Sequence, residues 1–159
     1  MCGIVGYIGQ RDCTDVLMQG LEKLEYRGYD SAGIAVFEKT GIKTVKTKGK
    51  LKDMREKLRK EGSPVGHCGI GHTRWATHGE PSDLNSHPHS NGRVTIVHNG
   101  IIENYIELKQ FLTEKGYTFT SQTDSEVVAC LLDYYYSERN PLRAITETLK
   151  ELQGSYALG

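Results

Sequence analysis

Met1-Cys2-Gly3-Ile4-Val5-Gly6-Tyr7-Ile8 opens the 159-residue chain, and this short, apolar, β-branched run between glycines reads as a buried strand. A strand beginning at the second residue ties the N-terminus into a sheet. Outward from it, residues 12–24 repeat apolar Val16, Leu17, Leu21 and Leu24 at helical spacing, and the helix should stop before Arg27-Gly28. Residues 33–37 and 42–47 read as a hairpin about Lys39-Thr40-Gly41, followed by a basic, solvated helix that turns Leu51, Met54 and Leu58 inward. Residues 68–73 and 93–98 are strand-like. Between them, residues 75–92 are irregular and rich in His, Asn, Ser, Gly and Pro. A loop of that length inside a compact domain is uncommon and often functional. Residues 105–115, 125–137 and 141–152 each carry helical spacing, and 154–159 reads as a strand that should continue past Gly159. Hairpins first and a run of helices later argue for an α+β domain with mainly antiparallel sheets.

The composition is that of an ordinary globular domain, 37% hydrophobic, with Lys plus Arg balanced by Asp plus Glu at 20 each. Zero formal charge supplies no field for nucleic acid or anionic lipid, and no nucleic-acid-binding spacing appears, so no nucleic-acid partner is expected. No run of about 18 apolar residues and no basic, hydrophobic leader occurs, so no membrane is expected and the chain reads as cytoplasmic. The four cysteines form no CxxC pair; Cys13, Cys68 and Cys130 read as buried small hydrophobes. No GxGxxG or GxxxxGK[ST] motif appears, which disfavours a dinucleotide or P-loop site.

Cys2 differs by position. Once Met1 is removed, it carries a thiol and a free α-amine on one α-carbon, and an amine with a pKa of about 7.7–8.0 can take the thiol proton and return it to a leaving group. The same residue can also simply open a strand. Asn99-Gly100 is a type I′ turn signal, and equally a pair of N–H donors for a developing oxyanion, each worth about 2.7–4 kcal/mol in a transition state. HTRWATHG (72–79) gathers an Arg, the single Trp, two Thr and two His where a strand enters the long loop. Arg74 suits bidentate recognition of a carboxylate, Thr77 and His78 add donors, and Trp75 is flat enough to cover a ligand or to pack as core. Asp124 either caps a helix or receives an ammonium. EYRGYDSAG (25–33), with Arg27, Tyr29 and Asp30, either braces Cys2 or forms a surface turn. His87-Pro88-His89 and His67-Cys68 fall in no recognised zinc spacing, so no metal or other cofactor is expected.

Together MCGIVG (1–6), EYRGYDSAG (25–33), HTRWATHGEP (72–81), NxHPH (85–89), VHNGIIEN (97–104) and TDSE (123–126) resemble the N-terminal glutaminase domain of the glutamine-fructose-6-phosphate aminotransferase (isomerising) family of class II glutamine amidotransferases. The resemblance runs along essentially the whole chain, so residues 1–159 read as one glutaminase domain that stops short of sugar-isomerase domains. It implies an N-terminal nucleophile hydrolase fold, a four-layer αββα sandwich of two antiparallel sheets. It also implies roles: Cys2 attacks the L-glutamine carboxamide with its own amine as base, and Asn99 with Gly100 holds the oxyanion. Arg74, Thr77 and His78 take the glutamine carboxylate, Asp124 with the Gly100 carbonyl takes its ammonium, and Trp75 closes over the ligand. Arg27 stands near the Cys2 amine, and His87 and His98 stand behind the site. The partner so implied is a sugar-isomerase half that uses the ammonia to convert fructose 6-phosphate into glucosamine 6-phosphate, in a homodimeric full-length enzyme.

Two other readings stand beside this one. The glutaminase half of another class II enzyme, such as amidophosphoribosyltransferase or glutamate synthase, shares the Cys2 start and Asn-Gly, but EYRGYDSAG argues against it. A non-catalytic glutamine-binding module would keep the pocket and lose the nucleophile's role.

Overall fold

The computed structural model describes residues 2–75, 80–136 and 140–159. In chain order they form β1 (Gly3–Ile8), α1 (Cys13–Leu24), a 3₁₀ turn (Glu25–Arg27), β2 (Ser31–Glu38), β3 (Gly41–Lys48), α2 (Leu51–Glu61) and β4 (Cys68–Arg74). There follow β5 (His89–Asn91), β6 (Val94–Ile96), β7 (His98–Ile102), α3 (Tyr105–Glu114), α4 (Asp124–Tyr135), α5 (Pro141–Glu151) and β8 (Gly154–Leu158). Local chemistry sets many of the ends. Asp12 caps α1 by accepting from the Thr14 N–H at 2.9 Å, and Asn140 caps α5 by accepting from Arg143 at 3.1 Å with Pro141 at the first helical position.

Every strand pairing among the described residues is antiparallel. The main sheet runs β1-β4-β2-β3, and β5-β6 and β7-β8 form two further ladders. On one face of the main sheet, Ile34 and Val36 meet Leu17 and Leu21 of α1 and Met54 of α2, all fully buried. Burying one such side chain contributes about 1.5–3 kcal/mol, so these five together contribute roughly 10 kcal/mol. The second core joins Ile96 and Ile102 to Leu112 of α3 and Val127, Val128 and Leu131 of α4. Helices α1 and α2, the main sheet, the two small ladders and α3 to α5 thus stack as the α+β, four-layer sandwich that the resemblance implies.

Three expectations need correction. The first strand is an edge strand that is only partly buried, because β4 pairs with one side of it alone; Ile8 at its end is 82% exposed. Cys68 is exposed, not buried, since it sits in register with exposed Ile8 and Phe37 at the open end of the sheet. The irregular stretch expected through residue 92 ends in β5, and the single strand expected over 93–98 is divided between β6 and β7, which belong to different ladders. Among the described residues no helix is long and apolar enough to cross a membrane.

Candidate active site

Register places the nucleophile candidate. Gly3 pairs with Thr73, so Cys2 reaches the end of β4 and its Sγ accepts from the Trp75 N–H at 3.2 Å. Burial pushes the Cys2 thiol up, against the lowering effect of that hydrogen bond, so at neutral pH it holds its proton and needs a base. The Glu25–Arg27 turn packs onto the same strand end. A side chain at Gly28 would bring its Cβ within 2.7 Å of the Arg74 carbonyl carbon, and only hydrogen there lets the turn approach closely enough for Asp30 N–H to reach Arg74 O at 3.3 Å.

Asn99-Gly100 is not a turn. Both residues lie within β7, Asn99 opposite Ala157 and Gly100 opposite Tyr156. Gly100 has φ +120°, and a Cβ on it would stand 2.1 Å from Ser155 O, so both the backbone conformation and the pairing with β8 require glycine. Asn99 donates Nδ2–H to Cys2 O at 3.1 Å, while its Oδ1 lies 2.8 Å from His72 Nε2. The pair therefore sits across from Cys2.

Asp124 is not a cap either. Thr123 takes that place, accepting from the Glu126 N–H at 3.3 Å, and Asp124 is the first residue of α4, only 6% exposed. Its Oδ2 accepts from Ile102 N–H at 2.9 Å, which ties α4 to β7 and leaves the carboxylate facing the cleft. Behind it stands a cluster of buried histidines. His98 Nδ1 lies 2.8 Å from Ser125 Oγ and 3.9 Å from Asp124 Oδ1, and Ser125 Oγ lies 3.4 Å from His87 Nε2. Burial drives all of them toward the neutral form: His72 is pushed down to about 4 and His89 to about 3, and His87 lies well below its ordinary value. His98 is also lowered by burial, with Asp124 opposing. Among the described residues no three His, Cys, Asp or Glu side chains are grouped to hold a metal ion.

A cleft of about 550 Å³ opens over Cys2, Arg74, Trp75, Asn99, Gly100 and Asp124. His87, His98 and Arg27 also line it. The Arg27 Nε–H donates to Tyr26 Oη at 2.9 Å, so its guanidinium is directed by its neighbour. Trp75 is 47% exposed, with its ring edge-on to Tyr29 at 5.5 Å between centroids, at the mouth of the cleft where it can cover a ligand. Thr77 and His78 lie outside the described residues. Sequence reasoning missed Ser155, Tyr156 and Ala157 of β8, which close one wall, and His72, which faces Asn99. For His72 a signal existed: it stands two residues before Arg74 on one strand, hence on the same face.

This arrangement can hold an amino acid by both charged ends. A buried guanidinium, a buried carboxylate, a thiol and a pair of N–H donors line the same cleft.

A family model described as glutamine amidotransferase domain matches residues 72–159. Over 100% of its length the chain is 58% identical to a glutamine–fructose-6-phosphate aminotransferase (isomerizing) of Clostridium tetani and 59% identical to one of Clostridium perfringens, and it covers 26% of each. The chain thus spans about a quarter of the length of the curated relatives it matches. Among solved structures, the glutamine phosphoribosylpyrophosphate amidotransferase of B. subtilis superposes with a TM-score of 0.81 at 26% identity, over 99% of this chain and 34% of that one.

Proposed function

The chain belongs to the glutamine amidotransferase domain family, and on that premise we propose that it hydrolyses L-glutamine to glutamate and ammonia through a thioester on Cys2. The observation that carries the reading is the convergence of Cys2, Arg74, Asn99 with Gly100, and Asp124 on one cleft, from four separate stretches of the chain. Arg74 holds the substrate carboxylate and Asp124 its ammonium, which leaves the side-chain carboxamide at Cys2. The thiol proton passes to the Cys2 α-amine as Sγ attacks, and the negative oxygen is taken by Asn99 Nδ2–H and Gly100 N–H. The amine returns the proton to the departing ammonia, and water then cleaves the thioester. The base exists only after Met1 is removed, because before that the Cys2 nitrogen is an amide without a basic lone pair. Thr77 and His78 assist Arg74, the Gly100 carbonyl assists Asp124, Trp75 covers the bound glutamine, and Arg27 steadies the amine.

Within a longer protein the ammonia serves a sugar-isomerase partner that turns fructose 6-phosphate into glucosamine 6-phosphate, in a cytoplasmic homodimer. The identities favour this over a phosphoribosyl partner, at 58–59% against 26%. The test is glutamate release by the Met1-trimmed chain. Wild type turns over, and Cys2→Ala loses activity to background while still binding glutamine. Undiminished turnover by Cys2→Ala would sink the proposal.

A further inference from the structure

Resting on that reading and deepening it, we infer that His72 is a positioning residue of the oxyanion pocket: its Nε2–H holds Asn99 in the one of two carboxamide orientations that turns N–H groups, rather than the carbonyl oxygen, toward Cys2. A carboxamide has almost the same shape either way round, and rotation by half a turn exchanges two donors for an acceptor. In one orientation Asn99 stabilises a developing oxyanion; in the other it repels it. What lies behind the amide decides between them.

The neighbour behind it is unambiguous. His72 Nε2 lies 3.1 Å from the backbone carbonyl of His98 as well as 2.8 Å from Asn99. A backbone carbonyl can only accept, so Nε2 carries the proton, and the end of Asn99 that faces it must be the oxygen. The other ring nitrogen is consistent with this tautomer. His72 Nδ1 is buried with no hydrogen-bond partner among the described residues, which a lone pair tolerates better than a stranded N–H. Deep burial also keeps the ring neutral at physiological pH, with a single proton to place. Reversing Asn99 would set its NH₂ against the Nε2–H, donor to donor.

The mount is stiff. His72 is 1% exposed, sits on β4 with Ile4 of β1 and Gly33 of β2 paired on either side, and stacks on His87 at 4.1 Å between ring centroids. The relay runs from the central strand through one imidazole to the amide that faces Cys2.

The experiment compares His72→Leu, His72→Gln, Asn99→Ala and the His72→Leu/Asn99→Ala pair in the Met1-trimmed protein. Loss of an oxyanion donor costs about 10²–10³ in kcat, and an Asn99 free to reverse should lose a large part of that. We expect kcat of His72→Leu to fall about 10- to 100-fold with KM changed less than about threefold. His72→Gln, which can offer an N–H near the Nε2 position, should recover most of it. In the Asn99→Ala background His72→Leu should cost nothing further. Alkylation of Cys2 by iodoacetamide, read at that residue by mass spectrometry, forms no oxyanion, and should proceed at the wild-type rate in His72→Leu and His72→Gln. Wild-type kcat in folded His72→Leu, or an equal additional loss in both backgrounds, overturns the inference. An Asn99→Ala enzyme as active as wild type would instead overturn the oxyanion reading beneath it. If His72→Leu does not fold, the ¹⁵N shifts of the wild-type His72 ring decide: an Nε2–H tautomer is expected, and an Nδ1–H tautomer overturns the proposal.

Discussion

Arg74 ends β4 with its side chain 4% exposed, and such a position gives a guanidinium leverage that a surface arginine lacks. Its planar fork can meet both oxygens of a carboxylate, which a lysine ammonium on a shorter reach cannot reproduce. Arg74→Lys should therefore raise KM for glutamine about tenfold or more, the loss of one charge-assisted hydrogen bond, with kcat changed much less. Steady-state kinetics checks this, and an unchanged KM would remove Arg74 from substrate recognition. Individual chemical identities of this sort were legible in the sequence, because a residue type restricts what its side chain can do. Exposure was not. Cys68 looks as apolar as Cys13, yet one lies at the open end of a sheet and the other is buried in the first turn of α1. Nor was the neighbour of Asn99 legible, since His72 lies 27 positions away along the chain.

At the scale of elements, the N-terminus of α4 shows how a helix start is held for use. The Glu126 carboxylate accepts from Ser121 N–H at 2.6 Å, Thr120 N–H at 3.0 Å and both hydroxyls, so it organises the turn that leads into Thr123 and Asp124. Burial pushes this carboxyl up, but the hydrogen bonds together outweigh it and hold it below its ordinary value. Glu126→Ala strands the buried Ser121 N–H at a cost of about 1–3 kcal/mol, while the exposed Thr120 N–H can turn to water. It should lower unfolding stability by about 1–3 kcal/mol in urea and raise KM for glutamine as Asp124 loses its seat. A loss under about 0.5 kcal/mol would show the turn holds itself. The helices were legible because their periodicity is local. The turn alternative for Asn99-Gly100 fails for the opposite reason: a dipeptide preference speaks of two residues, while β8, more than 50 positions onward, pairs with them and overrides it.

For the molecule as a whole, four buried histidines grouped at one cleft predict sensitivity to acid. Unfolded histidine titrates near 6.5, whereas folding depresses His72 to about 4 and His89 to about 3. Between those limits the unfolded chain binds protons that the native one does not, so their contribution to stability is complete above pH 6.5 and is lost as pH falls. By pH 5 the loss is about 2 kcal/mol for each, about 4 kcal/mol together, against a total stability of roughly 5–15 kcal/mol for a domain. Urea unfolding at pH 7.5, 6 and 5 should show the unfolding constant rising about 50-fold between pH 6 and 5; a flat profile would mean these rings are not buried neutral in solution. From sequence alone came the α+β class, the helices in their order, and the identity of Cys2, Arg74, Asn99 and Asp124 as the residues with chemistry to offer. These follow from periodicity, side-chain chemistry and recurrent motifs, all properties of short stretches. Only the tertiary structure decided that β7 runs through Asn99-Gly100, that Asp124 opens α4 without capping it, and that His72 stands against the Asn99 amide. Each of those depends on a partner far away in the chain, and the free energy that selects it exists only when the sheets and helices have packed.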